Sequence, residues 1–202
     1  MTEWPYVWHD GDGGPPLLLL HGTGGNEHDL LPLAGRLSPR SPVLSPRGAV
    51  LGNGMPRFFR RLAEGVFDED DLRRRTDELA DFVTDAAREH GVAPGSFVAV
   101  GFSNGANMAS SLLMRRPEVL SGAVLLAAMV PYADPPGGAD LSSHRVVVSN
   151  GRHDPMATGE QTSTLITQLK ALGAQVTELP FDGGHTIDPL QLSRIGELIG
   201  AR

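Results

Sequence analysis

Short apolar runs alternate with helical patterns along the whole chain. Seven runs are typical of strands, at residues 3–10, 17–22, 41–48, 97–101, 122–128, 145–151 and 175–181. Between and after them, helical spacing and stop signals predict helices at 28–37, 67–91, 104–115, 159–172 and 188–200. Because several strand runs contain a continuous apolar stretch, both faces of their sheet must be covered. The pattern therefore predicts one doubly wound α/β domain over residues 1–202, with a mostly parallel sheet and helices on both faces.

The segment at residues 67–91 is the clearest helix. Asp68 can cap its N-terminus, and acidic residues crowd its first turn, where they suit the helix dipole. Apolar side chains recur on one face at Leu72, Leu79, Phe82, Val83 and Ala86. Gly91 then ends the helical pattern.

Composition excludes several functional classes. The net charge of −7 argues against a nucleic-acid-binding protein, because phosphate contacts need clustered Lys and Arg. The early apolar run at 17–20 is far too short to cross a membrane, and no signal-peptide pattern opens the chain. We therefore expect a cytoplasmic protein that does not insert into membranes. The absence of Cys excludes disulfides, thiolate metal sites and a Cys nucleophile, and we expect no metal and no cofactor.

The first chemical signal is the motif Gly101-Phe102-Ser103-Asn104-Gly105, which fits G-x-S-x-G. The motif alone is weak in a chain with 25 Gly. Its position strengthens it, because Ser103 stands where a buried strand turns sharply into a helix, as a nucleophile elbow requires. A serine that merely caps the helix is the alternative. The rest of the chain favours the nucleophile.

A serine nucleophile needs a histidine base and an acid that orients it. In hydrolases built on such a sheet the order along the chain is Ser, acid, His, so the base must follow Ser103. His185 lies in a Gly-rich loop after the last strand and is the predicted base. Asp154 follows the strand that ends near residue 150, at the sheet edge where catalytic groups gather, and is the predicted acid. Asp182 is a second candidate acid, but it lies on the same loop as His185.

The loop after the second strand run, "LLLLHGTGGNEHD", supplies groups for an oxyanion hole. Two backbone N–H donors are needed, and the residue after the nucleophile, Asn104, provides one. The N–H of Thr23 is the natural second donor, since the loop glycines let the backbone approach a substrate. A phosphate-binding loop is disfavoured, because neither Gly-Lys-Ser/Thr nor G-x-G-x-x-G is present. We expect His21 to hold this loop in shape rather than to do chemistry.

The segment 52–65, "GNGMPRFFRRLAEG", has two interpretations. In the first, its apolar side chains form a wall of the substrate pocket and an arginine faces the substrate. The wall residues would be Met55, Phe58 and Phe59. In the second, the phenylalanines pin the segment to the body, and the arginines pair with Glu64 or with carboxylates at 68–71. Both interpretations stay open.

Residues 127–136 follow another strand end, where Met129, Val130 and Tyr132 can line an acyl pocket. The interval from Met129 to His144 holds about 16 residues rich in Pro and Gly, too few for a helical lid. This predicts a shallow, open cleft that favours short acyl chains, roughly C2–C6.

Five segments carry a resemblance to a known family. They are "LLLLHGTGGNEHDLL", "SPRGAVLGNGMPRFFRRLAEGVFDEDDL", "GFSNGANMA", "NGRHDP" and "GGH", in order from about residue 15 to 190. Together they resemble phospholipase/carboxylesterase-type α/β-hydrolases, and most closely a bacterial subgroup of small lidless carboxylesterases, some associated with hydroquinone stress. The resemblance implies the triad Ser103, Asp154 and His185, with Thr23 and Asn104 as oxyanion donors. It also implies an uncapped α/β-hydrolase fold, frequent homodimerisation and a small ester substrate with a short or medium acyl chain.

Several activities share this machinery. Thioesterase, lysophospholipase, amidase and lactonase activities stay open beside carboxylesterase activity. A non-catalytic ligand-binding protein on the same fold is the alternative from another class. The intact set of Ser103, Asp154 and His185 disfavours it, because a binding protein does not need all three.

Overall fold

The computed structural model describes residues 4–63 and 65–200, and a seven-stranded sheet forms their centre. Its strands are β1 (Tyr6–His9), β2 (Leu17–Leu20), β3 (Val43–Pro46), β4 (Phe97–Phe102), β5 (Leu120–Leu126), β6 (Arg145–Ser149) and β7 (Gln175–Glu178). They lie in the order β1-β3-β2-β4-β5-β6-β7. Only β1 runs antiparallel to its neighbour, with Tyr6 opposite Pro46. The predicted mostly parallel sheet is confirmed.

In the described part of the chain, five α-helices connect and cover the strands. They are α1 (Leu31–Leu37), α2 (Glu69–Glu89), α3 (Asn104–Arg115), α4 (Gly159–Ala171) and α5 (Leu192–Gly200). The predicted cap of α2 is present, since Asp68 accepts a hydrogen bond of 3.0 Å from the N–H of Asp71. Gly91 lies just beyond the helix with φ +67°, a backbone conformation that favours glycine.

Successive side chains of β2 enter two different hydrophobic cores, as the pleat of a strand dictates. Leu18 and Leu20 pack with the buried faces of α2, α3 and α4. Leu17 and Leu19 pack with α1 and α5 on the opposite side. All four leucines are fully buried, which explains why the run contains no polar residue. Helices thus cover both faces, as predicted.

Two small hairpins fill a segment for which the sequence predicts neither strand nor helix. We call residues 50–67 the double hairpin. Its strands are Val50–Gly52 with Met55–Arg57, and Arg61–Ala63 with Val66–Phe67. Asn53 and Gly54 make the first turn with φ +52° and +75°. These strands hold two or three residues and show no clear alternation, so the apolar pattern could not reveal them.

Within the described residues, no helical lid is inserted between β5 and β6. Between Met129 and His144 the structure has neither helix nor strand. This agrees with the uncapped fold predicted from the short interval. Among residues 4–63 and 65–200, no helix is long and apolar enough to cross a membrane.

Candidate active site

Ser103 occupies a strained turn between β4 and α3. Its backbone has φ +52° and ψ −114°, a combination that only a tightly held residue adopts. Its N–H donates to the carbonyl of Leu126 on the neighbouring strand, at 2.9 Å. The strand-to-helix turn and the positive φ together form the predicted nucleophile elbow.

The two glycines of the motif are required by close packing. A Cβ at Gly105 would overlap the backbone carbonyl of Leu20 on β2. A Cβ at Gly101 would lie 2.5 Å from the carbonyl oxygen of Gly105 itself. Helix α3 therefore approaches β2 and β4 so closely that no side chain fits at either position. This packing fixes the height and direction of the elbow.

The three predicted catalytic side chains lie in hydrogen-bond contact with one another. His185 Nε2 is 2.9 Å from Ser103 Oγ, and His185 Nδ1 is 2.7 Å from Asp154 Oδ2. The second carboxylate oxygen, Oδ1, accepts from the N–H groups of Met156 and Ala157, so the acid cannot swing away. The Asp154 carboxylate accepts a hydrogen bond from the N–H at Nδ1 of His185. This leaves Nε2 free to take a proton from the Ser103 hydroxyl. The arrangement can activate Ser103 as a nucleophile.

The second candidate acid, Asp182, lies away from His185. Asp182 bonds to His153 Nε2 at 2.8 Å, and both side chains are largely exposed. Asp154, by contrast, has a fully buried carboxylate. Of the two candidates, only Asp154 contacts His185.

A cavity of about 230 Å³ opens beside Ser103 and His185. Its apolar wall consists of Phe67, Phe102, Met129 and Met156, and its polar wall includes Thr23, Arg57, Arg61, Asn104 and Asn107. Both residues predicted to supply oxyanion donors thus line the same cavity as Ser103. Within the described residues, neither the N–H of Thr23 nor that of Asn104 donates to another protein group. One unused donor at the N-terminus of α3 and one in the loop after β2 suit a developing negative charge.

Comparison with known proteins places the chain among hydrolases. The Bacillus subtilis (strain 168) protein MhqD, named as a hydrolase, is 47% identical over 184 residues, with 90% of each chain covered. A carboxylesterase of Bacillus cereus superposes with a TM-score of 0.94 at 44% identity, covering 97% of this chain and 93% of its own. YahD, solved with malic acid, superposes with a TM-score of 0.91 at 28% identity, covering 96% and 97%. No family model matches the chain.

The chain belongs to the carboxylesterase-type α/β-hydrolases. The identity to MhqD and to the B. cereus carboxylesterase extends over nearly the whole of each chain, so it includes the sheet and the site. This membership agrees with the resemblance seen in the sequence. It makes the protein a hydrolase of the esterase type.

The predicted pocket residues of this hydrolase divide into two groups. Met129 lies on the cavity wall, where the side-chain oxygen of Asn107 accepts from its N–H at 2.8 Å. Phe59 and Tyr132 are fully buried in the hydrophobic core and do not reach the cavity, which corrects the prediction for both. Met55 is half exposed and is not among the residues that line the cavity, so its assignment is corrected as well.

Long-range packing explains these corrections. The ring of Phe59 meets Phe67 edge-on at 5.1 Å, inside the double hairpin. The hydroxyl of Tyr132 bonds to Ser111 on α3, and its ring lies under the guanidinium of Arg73 on α2. Both aromatic side chains hold surface segments onto the body of the hydrolase. Neither contact is visible in the local sequence.

Both interpretations of segment 52–65 describe part of it. Phe58 is fully buried, and Arg60 pairs with Asp68 at 2.9 Å, as the packing interpretation expects. Arg57 and Arg61 face the cavity, as the functional interpretation expects for an arginine. The other proposed partner, Glu64, lies outside the described residues. The sequence could not tell the three arginines apart, because the segment has no regular spacing.

His21 ties the loop after β2 to the segment that follows β3. Its Nε2 accepts from the N–H of Gly48 at 2.9 Å, and its Nδ1 lies 2.6 Å from the carbonyl of Gly22. These bonds require a neutral ring with the proton on Nδ1. Burial lowers the pKa of His21 from its ordinary value of 6.5, against smaller opposing effects that include the bond to Gly22. The side chain is a structural support, as predicted.

The buried His21 should make stability depend on pH. The stabilisation from its neutral ring is complete above pH 6.5 and declines as the pH falls below that value, because the unfolded chain then binds the proton more readily. We expect the free energy of unfolding to fall less steeply between pH 6.5 and 5 in His21→Gln than in wild type, measured by urea titration. His28→Gln, at an exposed neighbouring histidine, is the control and should keep the wild-type slope. Equal slopes in wild type and His21→Gln would contradict this account.

Proposed function

We propose that this chain is a serine carboxylesterase that hydrolyses esters of short or medium acyl chains through an acyl-enzyme. The observation that carries the proposal is the hydrogen-bonded series Asp154–His185–Ser103 at the cavity. A hydroxyl bonded to an imidazole, which a buried carboxylate orients, suits acyl transfer to serine. The hydrolase and carboxylesterase names of its relatives support the same reaction class.

In the first half-reaction, Ser103 Oγ attacks the carbonyl carbon of the ester while His185 Nε2 takes the hydroxyl proton. Asp154 stabilises the positive charge that forms on the imidazole. The carbonyl oxygen becomes an oxyanion, which accepts from the N–H groups of Thr23 and Asn104. The bond to the alcohol oxygen then breaks, and His185 gives the proton to the departing alcohol.

In the second half-reaction, water replaces the alcohol. His185 Nε2 removes a proton from the water as the water oxygen attacks the acyl carbon. The same two N–H groups stabilise the second oxyanion. The bond to Ser103 Oγ breaks, His185 returns the proton to Oγ, and the carboxylic acid leaves. One water is consumed for each ester, and every step uses side chains and backbone groups of the chain.

The side chain of Asn104 supports the proposed oxyanion hole. Its Oδ1 accepts from the N–H of Phe58 at 2.7 Å, in a fully buried contact. This bond connects the double hairpin to the first residue of α3. Asn104, which lines the cavity, is thereby held in place.

The size of the cavity supports small substrates. Its volume of about 230 Å³ lies below the roughly 300–1,000 Å³ that accommodates drug-sized ligands. Malic acid, present with YahD, indicates small carboxylic acids and their esters as first compounds to test. Thioesters and lysophospholipids remain alternative substrates, because the same steps would cleave them.

Activity should depend sharply on acyl length. With p-nitrophenyl esters, we expect kcat/KM to peak between about C2 and C6 and to be at least about tenfold lower at C12. Each buried CH₂ contributes up to about 0.8 kcal/mol, but only while the wall extends far enough to cover it. Met129→Ala should shift the optimum, because Met129 lines the cavity.

Met55→Ala is the matched control, since Met55 lies outside the cavity wall, and it should leave the optimum unchanged. A preference for C16 over C4 in a detergent-free assay would contradict the short-chain proposal.

A further inference from the structure

Two arginines of the cavity wall, Arg57 and Arg61, lack the carboxylate partners that most arginines here have. Within residues 4–63 and 65–200, neither forms an ion pair. By contrast, carboxylates bond to Arg40, Arg47, Arg60, Arg73, Arg74, Arg75, Arg88, Arg115, Arg116 and Arg194. Arg36 and Arg152 also form no ion pair within the described residues, but of these arginines only Arg57 and Arg61 line the cavity.

Arg57 is unusual because it is buried as well as unpaired. The residue is 4% exposed, and its Nε has no hydrogen-bond partner within the described part of the chain. Burial lowers the pKa of its guanidinium, and the charge of Arg61 lowers it further. A buried cation without a counterion is costly, so structures seldom retain one unless an anion binds there.

The charge of the cavity is opposite to that of the whole protein. The chain has a net charge of −7, yet the described residues that line the cavity include two arginines and no Asp or Glu. Asp154 does not offset them at the wall, because its carboxylate is fully buried and bonded to His185. Among the described residues that line the cavity, an anion meets only cationic, neutral and apolar groups.

The backbone holds Arg57 in position before any ligand binds. Arg57 pairs with Val50 across the first hairpin, and the next residue, Phe58, donates to Asn104. Gly48 lies against the backbone of Arg57, where any side chain would overlap it. A Cβ at Gly52 would lie 3.0 Å from Arg57 Nε, so the guanidinium stem also rests on backbone. Arg57 therefore loses little conformational entropy when a ligand binds.

We propose that the preferred substrates are small esters that carry a carboxylate, which Arg57 and Arg61 bind while Ser103 attacks the ester carbonyl. This rests on the proposed function and adds the substrate class. A guanidinium presents paired N–H donors that match a carboxylate. The small cavity requires the carboxylate to lie only a few bonds from the ester. It can belong to the acyl part, as in half-esters of short dicarboxylic acids, or to the alcohol part.

Matched ester pairs test the proposal. For the acyl part, monomethyl glutarate is compared with the methyl ester of glutaric acid monoamide, which has the same shape and no charge. For the alcohol part, acetoxyacetate is compared with acetoxyacetamide. We expect wild type to favour the charged member of one pair by about tenfold or more in kcat/KM, chiefly through a lower KM. The pair that shows this preference identifies the part that carries the charge.

Variants assign the preference to the arginines. Arg57→Gln and Arg61→Gln should each bring the charged-to-neutral ratio of kcat/KM close to one, and Arg57→Lys should give an intermediate ratio. Arg60→Gln is the matched control on the same segment and should keep the wild-type ratio, because Arg60 pairs with Asp68 instead of lining the cavity. If Arg57→Gln does not fold, the exposed Arg61 supplies the same test.

The two proposals fail in different ways. If wild type cleaves the neutral esters but shows no preference in either pair, the carboxylate proposal is overturned and the esterase proposal stands. A preference that survives both Gln variants also overturns it. If wild type cleaves neither neutral nor charged esters, the proposed function itself is wrong.

Discussion

Ser103→Ala should lower kcat for ester hydrolysis by about 10⁴–10⁶-fold and leave the fold intact. The substitution removes only the Oγ atom that bonds to His185, while the N–H bond from residue 103 to Leu126 remains. The candidate oxyanion donors also remain, so a small residual activity above the uncatalysed rate is expected. Steady-state kinetics on p-nitrophenyl butyrate measures the loss, and far-UV circular dichroism checks the fold.

A fluorophosphonate provides a second measurement of the same prediction. One label per chain should appear on wild type and none on Ser103→Ala. Ser110→Ala is the control on the same helix, because its hydroxyl bonds to the carbonyl of Ala106, and it should still be labelled. Full esterase activity in Ser103→Ala would refute the proposed mechanism.

Asp154→Asn should lower kcat by about 10⁴-fold. An amide at this position can donate to His185 Nδ1, which places the ring proton on Nε2. The ring can then no longer accept the proton of Ser103. The buried site keeps the ring in that unproductive form, because the other oxygen of Asp154 is bonded to the N–H groups of Met156 and Ala157.

The competing acid offers a matched control for this change. Asp182→Asn should alter kcat by less than about twofold, because Asp182 bonds to the exposed His153 and not to His185. Each variant removes one negative charge from one of two neighbouring loops. The change in net charge is therefore the same in both and cannot explain a difference between them. A larger loss in Asp182→Asn than in Asp154→Asn would reverse the assignment of the acid.

The central elements could be predicted because their signals are local. The run before Gly101 is apolar throughout, and Pro117 stops the helix that follows, so the sequence bounded both elements to within a residue or two. The structure also brings Ser103, Asp154 and His185 into contact, although they lie far apart in the chain. Their order and their positions after strands were enough to choose them, since parallel strands end at one edge of the sheet.

The cavity wall could not be predicted because it depends on distant contacts. Tyr132 follows a strand end, as a pocket residue does, but its hydroxyl bonds to Ser111 and it becomes part of the core. Arg57, Arg60 and Arg61 lie in one segment without regular spacing, so no sequence pattern distinguishes these arginines of the double hairpin. Only the folded chain shows that Arg60 meets Asp68 while Arg57 faces the cavity.

The open side of the cavity bears on the fate of the acyl group. Neither helix nor strand lies between residues 129 and 144, and the His185 side chain is 20% exposed at the cavity. On the proposed mechanism, solvent therefore reaches the acylated serine as soon as the alcohol departs. A covered site could exclude solvent and transfer its acyl group to a second bound alcohol. Here hydrolysis should dominate over transesterification, which makes this chain suited to degrading esters rather than to synthesising or exchanging them.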